Sequence, residues 1–289
     1  MFKTRLMECA AQVQLHLDSV LVPMGELPVV QAMRYASHGG KRLRAFLVLE
    51  SARLHGIPAD QAIWPAAAIE AMHAYSLVHD DLPCMDDDDM RRGQPTVHVK
   101  WNEETAVLAG DALQTLAFEL AAHPECSEKA DVRADLALTL ARAAGAQGMV
   151  LGQALDMAAE TADTPLTLDE ITRLQEGKTG ALFGWSAMAG ARMAQADTAP
   201  WADYATGLGL AFQIWDDVLD IEGDAETVGK AVGKDSDAGK ATFVSLLGME
   251  IAKKRAKDLI DQSCAALDPF GKEADILRDV ARFVIARDK

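Results

Sequence analysis

Two clusters of aspartates carry the chemistry that this sequence is best equipped to do. The first has six aspartates within residues 80–89, and the second has three within residues 216–220. Each cluster follows an apolar, helix-forming stretch, which a merely solvated acidic surface does not explain. Carboxylates without His or Cys suit a hard cation, and Mg²⁺ is usually held by one or two carboxylates, waters and a substrate phosphate. The pattern therefore predicts two Mg²⁺ sites that serve a phosphorylated substrate.

Basic residues are gathered at a few places in a strongly acidic chain. Lys and Arg number 28 against 44 for Asp and Glu, which gives a net charge of −16 and excludes nucleic acid as a general partner. Cations nevertheless follow paired glycines at 39–44, follow the first acidic cluster at 91–92, and recur at 177–180 and 222–240. Beside two Mg²⁺ sites, these cations predict clamps for diphosphate groups.

Helices must position these clusters. Ala, Leu, Met and Glu dominate, and apolar residues recur at three- and four-residue spacing, which predicts an all-α protein. Asp216 and Asp220 are i and i+4, so their carboxylates share one helix face. Asp80 and Asp86 are about 240° apart on an ideal helix and converge only if that helix is distorted. Pro83 therefore predicts a kink or irregular turn over 82–85.

The chain as a whole is predicted to form one domain over residues 1–289. Roughly ten or more helices of 12–20 residues fit between its Gly and Pro breakers. The polar, Gly-rich stretch 222–240 is predicted to be a functional or disordered loop. No apolar run reaches the roughly 18 residues of a membrane span. Four widely spaced cysteines and an opening without signal-peptide character lead us to expect a cytoplasmic protein with reduced thiols.

Six motifs, in this order, resemble the trans-isoprenyl diphosphate synthase family, most closely its bacterial members that make farnesyl diphosphate. They are GGKRLR, HAYSLVHDDLPCMDDDDMRRG, AGDALQT, GQALD, GKTGAL and FQIWDDVLD, within region 39–242. The resemblance implies an all-α bundle of isoprenoid synthase type around a central cavity, usually a homodimer. It also implies three Mg²⁺ ions when an allylic diphosphate is bound, with Mn²⁺ as the alternative.

The resemblance assigns roles to individual residues. The implied Mg²⁺ ligands are Asp80, Asp81, Asp86, Asp216, Asp217 and Asp220. The groups implied around the allylic diphosphate are Arg91, Lys178, Thr179, Gln213, Lys230 and Lys240. The groups implied in a metal-free pocket for isopentenyl diphosphate are Lys41, Arg44, His73 and Arg92. The catalytic set expected from these assignments is Asp80, Asp81, Asp86, Lys178, Asp216 and Lys230. The end of the chain, 287–289, resembles the family's basic tail.

The implied reaction is a prenyl transfer by ionisation, condensation and elimination. Isopentenyl diphosphate attacks the cation left by dimethylallyl or geranyl diphosphate. Tyr75 and Ser76 precede Asp80 by five and four residues, about 6–7.5 Å along a helix. In the family this position limits chain growth, and a Tyr beside a small residue resembles members that stop at C15. We therefore expect farnesyl diphosphate as the product and Tyr75 as the floor of the cavity.

Other functions stay open at this point. Within the family, the alternatives are a geranyl or geranylgeranyl diphosphate synthase. From other classes, they are a class I terpene cyclase, which has no use for GGKRLR, and a non-catalytic regulatory subunit, which usually loses an aspartate motif. There are three departures from the family pattern: Ala45 replaces the usual Pro, Phe243-Val244 replace Tyr-Pro, and Trp215 is bulky. None of them removes a charged group.

Overall fold

Helices form almost the whole of the computed structural model, which describes residues 2–162, 164–222 and 242–286. The first helices are α1 Phe2–Leu21, α2 Pro28–Ala36, α3 Leu43–Leu54, α4 Ala59–Asp80, α5 Val97–Lys100, α6 Glu103–Ala121 and α7 Ala130–Ala144. The later helices are α8 Met149–Glu160, α9 Leu168–Gln175, α10 Ala181–Met193, α11 Ala199–Glu222, α12 Phe243–Leu247, α13 Met249–Ala266 and α14 Asp275–Val284. Within the described residues, the only strands are β1 Met90–Arg91 and β2 Gln94–Pro95. The predicted all-α class is confirmed.

The chain divides into two compact units. The first contains Met1–Leu140 and Ala189–Ala196, and the second contains Ala141–Met188 and Asp197–Lys289. Helices α7 and α10 each contribute residues to both units. The single domain predicted over 1–289 stays a prediction.

Helix α4 is the centre of the first unit and carries most of its candidate site residues. It is apolar around most of its circumference, and such a helix is stable only when it is buried. Its small residues Ala66 to Ala68 are fully buried and allow close packing against α3 and α6. On α6, a Cβ at Gly110 would lie 2.0 Å from Nε2 of His79, so only glycine allows this approach.

A short hairpin follows α4 in the first unit. Strands β1 and β2 are antiparallel, with Met90 opposite Pro95 and Arg91 opposite Gln94. The two turn residues, Arg92 and Gly93, have φ of 53° and 75°. Positive φ at both central residues matches the right-handed twist of a tight hairpin. The hairpin fixes the backbone of the Arg-Arg pair that follows the first acidic cluster.

Helix α11, with 24 residues, is the longest described element of the second unit. It packs against α13, whose buried residues Ala252, Ala256, Ile260 and Ser263 form one stripe at helical spacing. Helix α9 begins at a capping box in which Thr167 and Glu170 exchange hydrogen bonds. A single π-helical turn, Glu176–Gly180, then leads into α10 and packs against α8.

The described residues contain neither a candidate membrane-spanning helix nor a disulfide. Among the described residues, no helix combines the length and the apolarity that crossing a membrane would need. All four cysteines are free thiols in this structure.

Candidate active site

The first aspartate motif lies on an irregular turn at the end of α4. Asp80 is the last residue of the helix, and the chain then turns through residues 81–86. The Met85 amide donates to the Leu82 carbonyl at 2.8 Å, and the Asp86 amide donates to the Asp80 carbonyl, also at 2.8 Å. The predicted irregular turn over 82–85 is confirmed. It returns the backbone of Asp86 to that of Asp80, which a continuous helix would not do.

Asp81 forms an ion pair with Arg91 of the hairpin. Asp81 is 3% exposed. Its Oδ1 lies 2.7 Å from Nε and 2.6 Å from Nη2 of Arg91. Burial raises the pKa of Asp81, and the Arg91 guanidinium acts in the opposite direction. In this structure the two groups satisfy each other. The roles implied for them, as Mg²⁺ ligand and diphosphate ligand, stay predictions.

The donors that the aspartate motifs offer decide which metal ion would fit them. Among the residues described, no group of three or more His, Cys, Asp or Glu side chains is arranged to hold an ion by itself. Asp80 is half-buried and Asp86 is exposed. Carboxylates of this kind fit Mg²⁺, which keeps several waters and takes phosphate oxygens from its substrate.

A basic group surrounds His73, seven residues before Asp80 on α4. Burial lowers the pKa of His73 well below its ordinary value, and the nearby charges of Arg44 and Arg92 lower it further. The imidazole is therefore neutral at neutral pH. Burial also lowers the pKa of Arg44 to about 10, while Glu70 acts in the opposite direction. The structure thus brings together three of the four residues implied in the isopentenyl diphosphate pocket. The fourth, Lys41, is exposed.

Gly40 leaves room for the guanidinium of Arg92. Gly40 has a φ of 84°, and a Cβ there would lie 2.8 Å from Nη1 of Arg92. The left-handed backbone therefore favours glycine at this position, and the absence of a side chain leaves the space that the Arg92 guanidinium occupies. The GGKRLR loop and the hairpin turn meet at this point of the first unit.

A buried ion pair, Arg42 with Glu70, anchors the same loop, and the sequence reasoning missed it. The Arg42 side chain is 4% exposed and that of Glu70 is 6% exposed, with Nη1 3.2 Å from Oε2. Nη2 of Arg42 also donates to the Ser37 carbonyl and, at 2.7 Å, to Gln14. These bonds hold Arg42 at a φ of 54°, the left-handed turn that begins α3. The sequence signals that could have indicated this pair are the GGKRLR motif and Glu70, a single acidic residue within an apolar stretch.

Glu70 also caps the start of α3. Its second oxygen, Oε1, accepts the backbone amide of Ala45 at 3.0 Å. The first amides of a helix have no partner within it, and here a side chain from α4 supplies one. Ala45 is one of the positions that depart from the family pattern, and the usual Pro would have no N–H to donate.

The residues implied in chain-length control lie one to two turns before Asp80 on α4. Tyr75 is 8% exposed, and its ring packs edge-on against His79 at 5.2 Å between centroids. Burial and the negative charge of Asp80 raise the pKa of Tyr75. Ser76 is half-buried and donates to the His73 carbonyl at 2.9 Å. Their role in limiting product length stays a prediction.

In the second unit, the π-helical turn takes part in two polar contacts. Nζ of Lys178 lies 2.5 Å from Oδ2 of Asp156 on α8. The next residue, Thr179, is buried, and its hydroxyl accepts a hydrogen bond from Nε2 of Gln213 at 2.7 Å. Three of the residues implied around the allylic diphosphate are therefore joined through this turn and its neighbours. Asp156 was not singled out from the sequence, although it ends the GQALD motif.

The second aspartate motif lies within the last two turns of α11. Asp216 and Asp220 both lie within the helix, as predicted, and both are half-buried. The carboxylate of Asp217 accepts the backbone amide of Phe243 at 2.6 Å and so caps α12. This contact gives Asp217 a structural function beside its implied role at the metal.

Some predictions fall outside the described residues. They concern Lys230, Lys240, most of the loop at 222–240 and the basic tail at 287–289.

Comparison with known proteins identifies the family. A family model described as polyprenyl synthetase matches residues 28–278. The chain belongs to the polyprenyl synthetase family. Curated relatives of this family member include the farnesyl diphosphate synthase of Escherichia coli K12, 44% identical over 100% of this chain and 99% of the relative. They also include a geranylgeranyl diphosphate synthase of Cyanophora paradoxa, 39% identical over 90% of this chain and 88% of the relative.

A solved structure agrees with both the fold and the family. The apo crystal structure described as an FPP/GFPP synthase from Zymomonas mobilis aligns with a TM-score of 0.89 at 45% identity, covering 98% of each chain. The predicted resemblance, the all-α fold and the class of prenyl-transferring enzyme are therefore confirmed.

Proposed function

We propose that this protein condenses isopentenyl diphosphate with dimethylallyl or geranyl diphosphate to form farnesyl diphosphate. The observation that carries this proposal concerns α4, where the charges of Arg44 and Arg92 act on His73 and an aspartate motif begins seven residues later. A terpene cyclase ionises a single diphosphate substrate and needs only the aspartate motif. An enzyme that condenses two diphosphate substrates needs a metal site for the diphosphate group that leaves. It also needs a site of basic side chains for the diphosphate group that the product keeps.

Metal ions would be held by the aspartates of the two motifs. The proposed ligands are those that the resemblance implies, Asp80, Asp81, Asp86, Asp216, Asp217 and Asp220. In this structure Asp81 also pairs with Arg91, and Asp217 also accepts the Phe243 amide. When bound, Mg²⁺ supplies positive charge that neutralises a diphosphate. The choice between Mg²⁺ and Mn²⁺, and the number of three ions, stay predictions.

The protein's own cations would act on the diphosphate that leaves. Arg91 and Lys178 would donate charge-assisted hydrogen bonds to its oxygens as negative charge develops there. Gln213 orients the hydroxyl of Thr179, which could then donate to the same group. We propose that the departed diphosphate accepts the proton lost in the elimination step. Lys230 and Lys240 stay expected members of this set.

The second substrate keeps its diphosphate, so its site should hold cations without a metal. Arg44 and Arg92 supply the charge. A neutral His73 can donate a hydrogen bond without adding to that charge, because the two guanidinium groups already disfavour its protonation. Lys41 is the proposed fourth member.

The product is proposed to be C15, with a longer chain as the second candidate. The buried ring of Tyr75, five residues before Asp80, supports a short cavity. The similarity to a geranylgeranyl diphosphate synthase at 39% identity is the observation that favours the C20 alternative. We further propose that the enzyme is a cytoplasmic homodimer, and four free thiols fit a reducing compartment.

The test is a product assay. Purified protein is incubated with labelled isopentenyl diphosphate and either dimethylallyl or geranyl diphosphate, with Mg²⁺ or with a chelator. Expected is Mg²⁺-dependent formation of farnesyl diphosphate, identified by chromatography and mass spectrometry. Failure to transfer label to any allylic primer would overturn the proposal. A C20 main product would replace it with the second candidate.

A further inference from the structure

Helix α8 lies against both the backbone and the side-chain ammonium of Lys178. Gly152 and Asp156 are four residues apart on α8 and share one face. A Cβ on Gly152 would lie 2.0 Å from the backbone nitrogen of Lys178, so the π-helical turn rests directly on the bare backbone of α8. One helical turn further on, Oδ2 of Asp156 meets the ammonium of Lys178 at 2.5 Å.

This ion pair differs from a surface salt bridge in its burial. The side chain of Asp156 is 16% exposed and that of Lys178 is 28% exposed. Surface pairs usually contribute little, because water and salt screen them and long side chains lose entropy on pairing. A partly buried pair is screened less, and it holds its geometry better when one partner is short and sits on a rigid helix.

The π-helical turn determines the direction of the Lys178 side chain. Such a turn shifts side chains relative to the α-helical spacing and is common at functional sites. Lys178 is its central residue, and the adjacent Thr179 is held by Gln213 on α11. Fixing a mobile lysine side chain carries an entropic penalty. Fixing it before substrate arrives removes that penalty from the reacting complex.

We infer that Asp156 is a positioning residue, which holds the Lys178 ammonium where it meets the diphosphate of the allylic substrate. The inference rests on the proposed function, since it gives Lys178 its task there. Pre-organised charge acts most strongly on the transition state, where negative charge on the leaving group is greatest. Ground-state binding is shared with other cations and changes less.

The kinetic test is a double-mutant cycle with a matched control. For Asp156→Asn, kcat is expected to fall roughly tenfold, about 1.4 kcal/mol, while KM for the allylic diphosphate changes less than twofold. Asp156→Glu, which keeps the charge, should recover part of kcat. In a Lys178→Met background, adding Asp156→Asn should have no further effect. Asp135→Asn breaks a different helix-borne pair, 3.0 Å from Arg192, and should leave kcat within twofold.

A second measurement does not depend on activity. The rate at which an amine-reactive acetylating reagent modifies Lys178 is followed by mass spectrometry in the substrate-free protein. Lys253, whose Nζ lies 2.8 Å from Glu222, serves as the internal reference. In Asp156→Asn, modification of Lys178 should rise several-fold relative to Lys253, because its ammonium is released from the carboxylate.

The outcomes separate the inference from the function on which it rests. Unchanged modification of Lys178, or an equal loss of kcat with and without Lys178, overturns the positioning role and leaves the proposed function intact. A wild-type protein that forms no prenyl product refutes the proposed function and, with it, the catalytic task of the pair. A modification rate that still rises in Asp156→Asn would then identify the pair as structural only.

Discussion

Glu70→Gln is expected to destabilise the first unit strongly, although it removes only a charge. Glu70 and Arg42 are 6% and 4% exposed, so the substitution leaves a buried guanidinium without its carboxylate. Removing one partner of such a pair costs about 3–5 kcal/mol. The lower end applies here, because a glutamine carbonyl can still accept the Ala45 amide and one Arg42 N–H. We expect a loss of about 3 kcal/mol, or a Tm roughly 6–12 °C lower.

The assay is thermal unfolding followed by circular dichroism, with Glu26→Gln as the control. Glu26 pairs with Arg34 at 3.4 Å but is 72% exposed, so its loss should change stability by less than about 0.5 kcal/mol. Glu70→Gln should also raise KM for isopentenyl diphosphate about tenfold, because Arg44 follows the turn that Glu70 anchors, and leave KM for the allylic substrate within twofold. Equal, small Tm shifts in the two variants would refute the reasoning.

Three further predictions concern α4 and the π-helical turn. Tyr75→Ala should open the floor of the cavity and give products longer than C15 by mass spectrometry; C15 as its sole product would contradict that role. His73 has a lowered pKa in the folded state, so the unfolded chain takes up its proton first, and stability should fall as the pH drops below about 6.5. His73→Gln should flatten the dependence of Tm on pH between 7 and 5, and an unchanged slope would be evidence against it. Gly152→Ala should displace the backbone of Lys178 and lower kcat by at least as much as Asp156→Asn, in the product assay; full activity would contradict the close contact.

The features that the sequence predicted correctly are those decided by short-range geometry. Asp216 and Asp220 lie one turn apart because a helix has a fixed period. The turn after Asp80 follows from Pro83, which cannot continue a helix in the ordinary way. These statements need only a few neighbouring residues.

The contacts that were missed join residues far apart in the chain. Arg42 pairs with Glu70, and Asp156 pairs with Lys178, across 28 and 22 residues respectively. Which distant helices approach each other depends on the packing of the whole unit, and helical periodicity carries no information about it. The motifs marked the right segments but did not indicate which side chain would face which.

Asp81 illustrates the same limit at shorter range. Its residue type and position in the motif favour a metal ligand, yet the hairpin brings Arg91 to within 2.6 Å of it. That hairpin depends on left-handed backbone at Arg92 and Gly93, and the sequence had indicated only a break there.

The contact between Gly40 and Arg92 constrains how this protein could change over evolution. Two turns, 52 positions apart in the printed sequence, share one small volume, and a methyl group at the first would collide with the guanidinium of the second. A larger residue at position 40 would have to adopt a left-handed backbone, and it would push aside the Arg92 guanidinium, one of the cations proposed to recognise isopentenyl diphosphate. A substitution at the Gly40 turn would thus also move a cation proposed for substrate recognition, although the two positions are far apart in the chain.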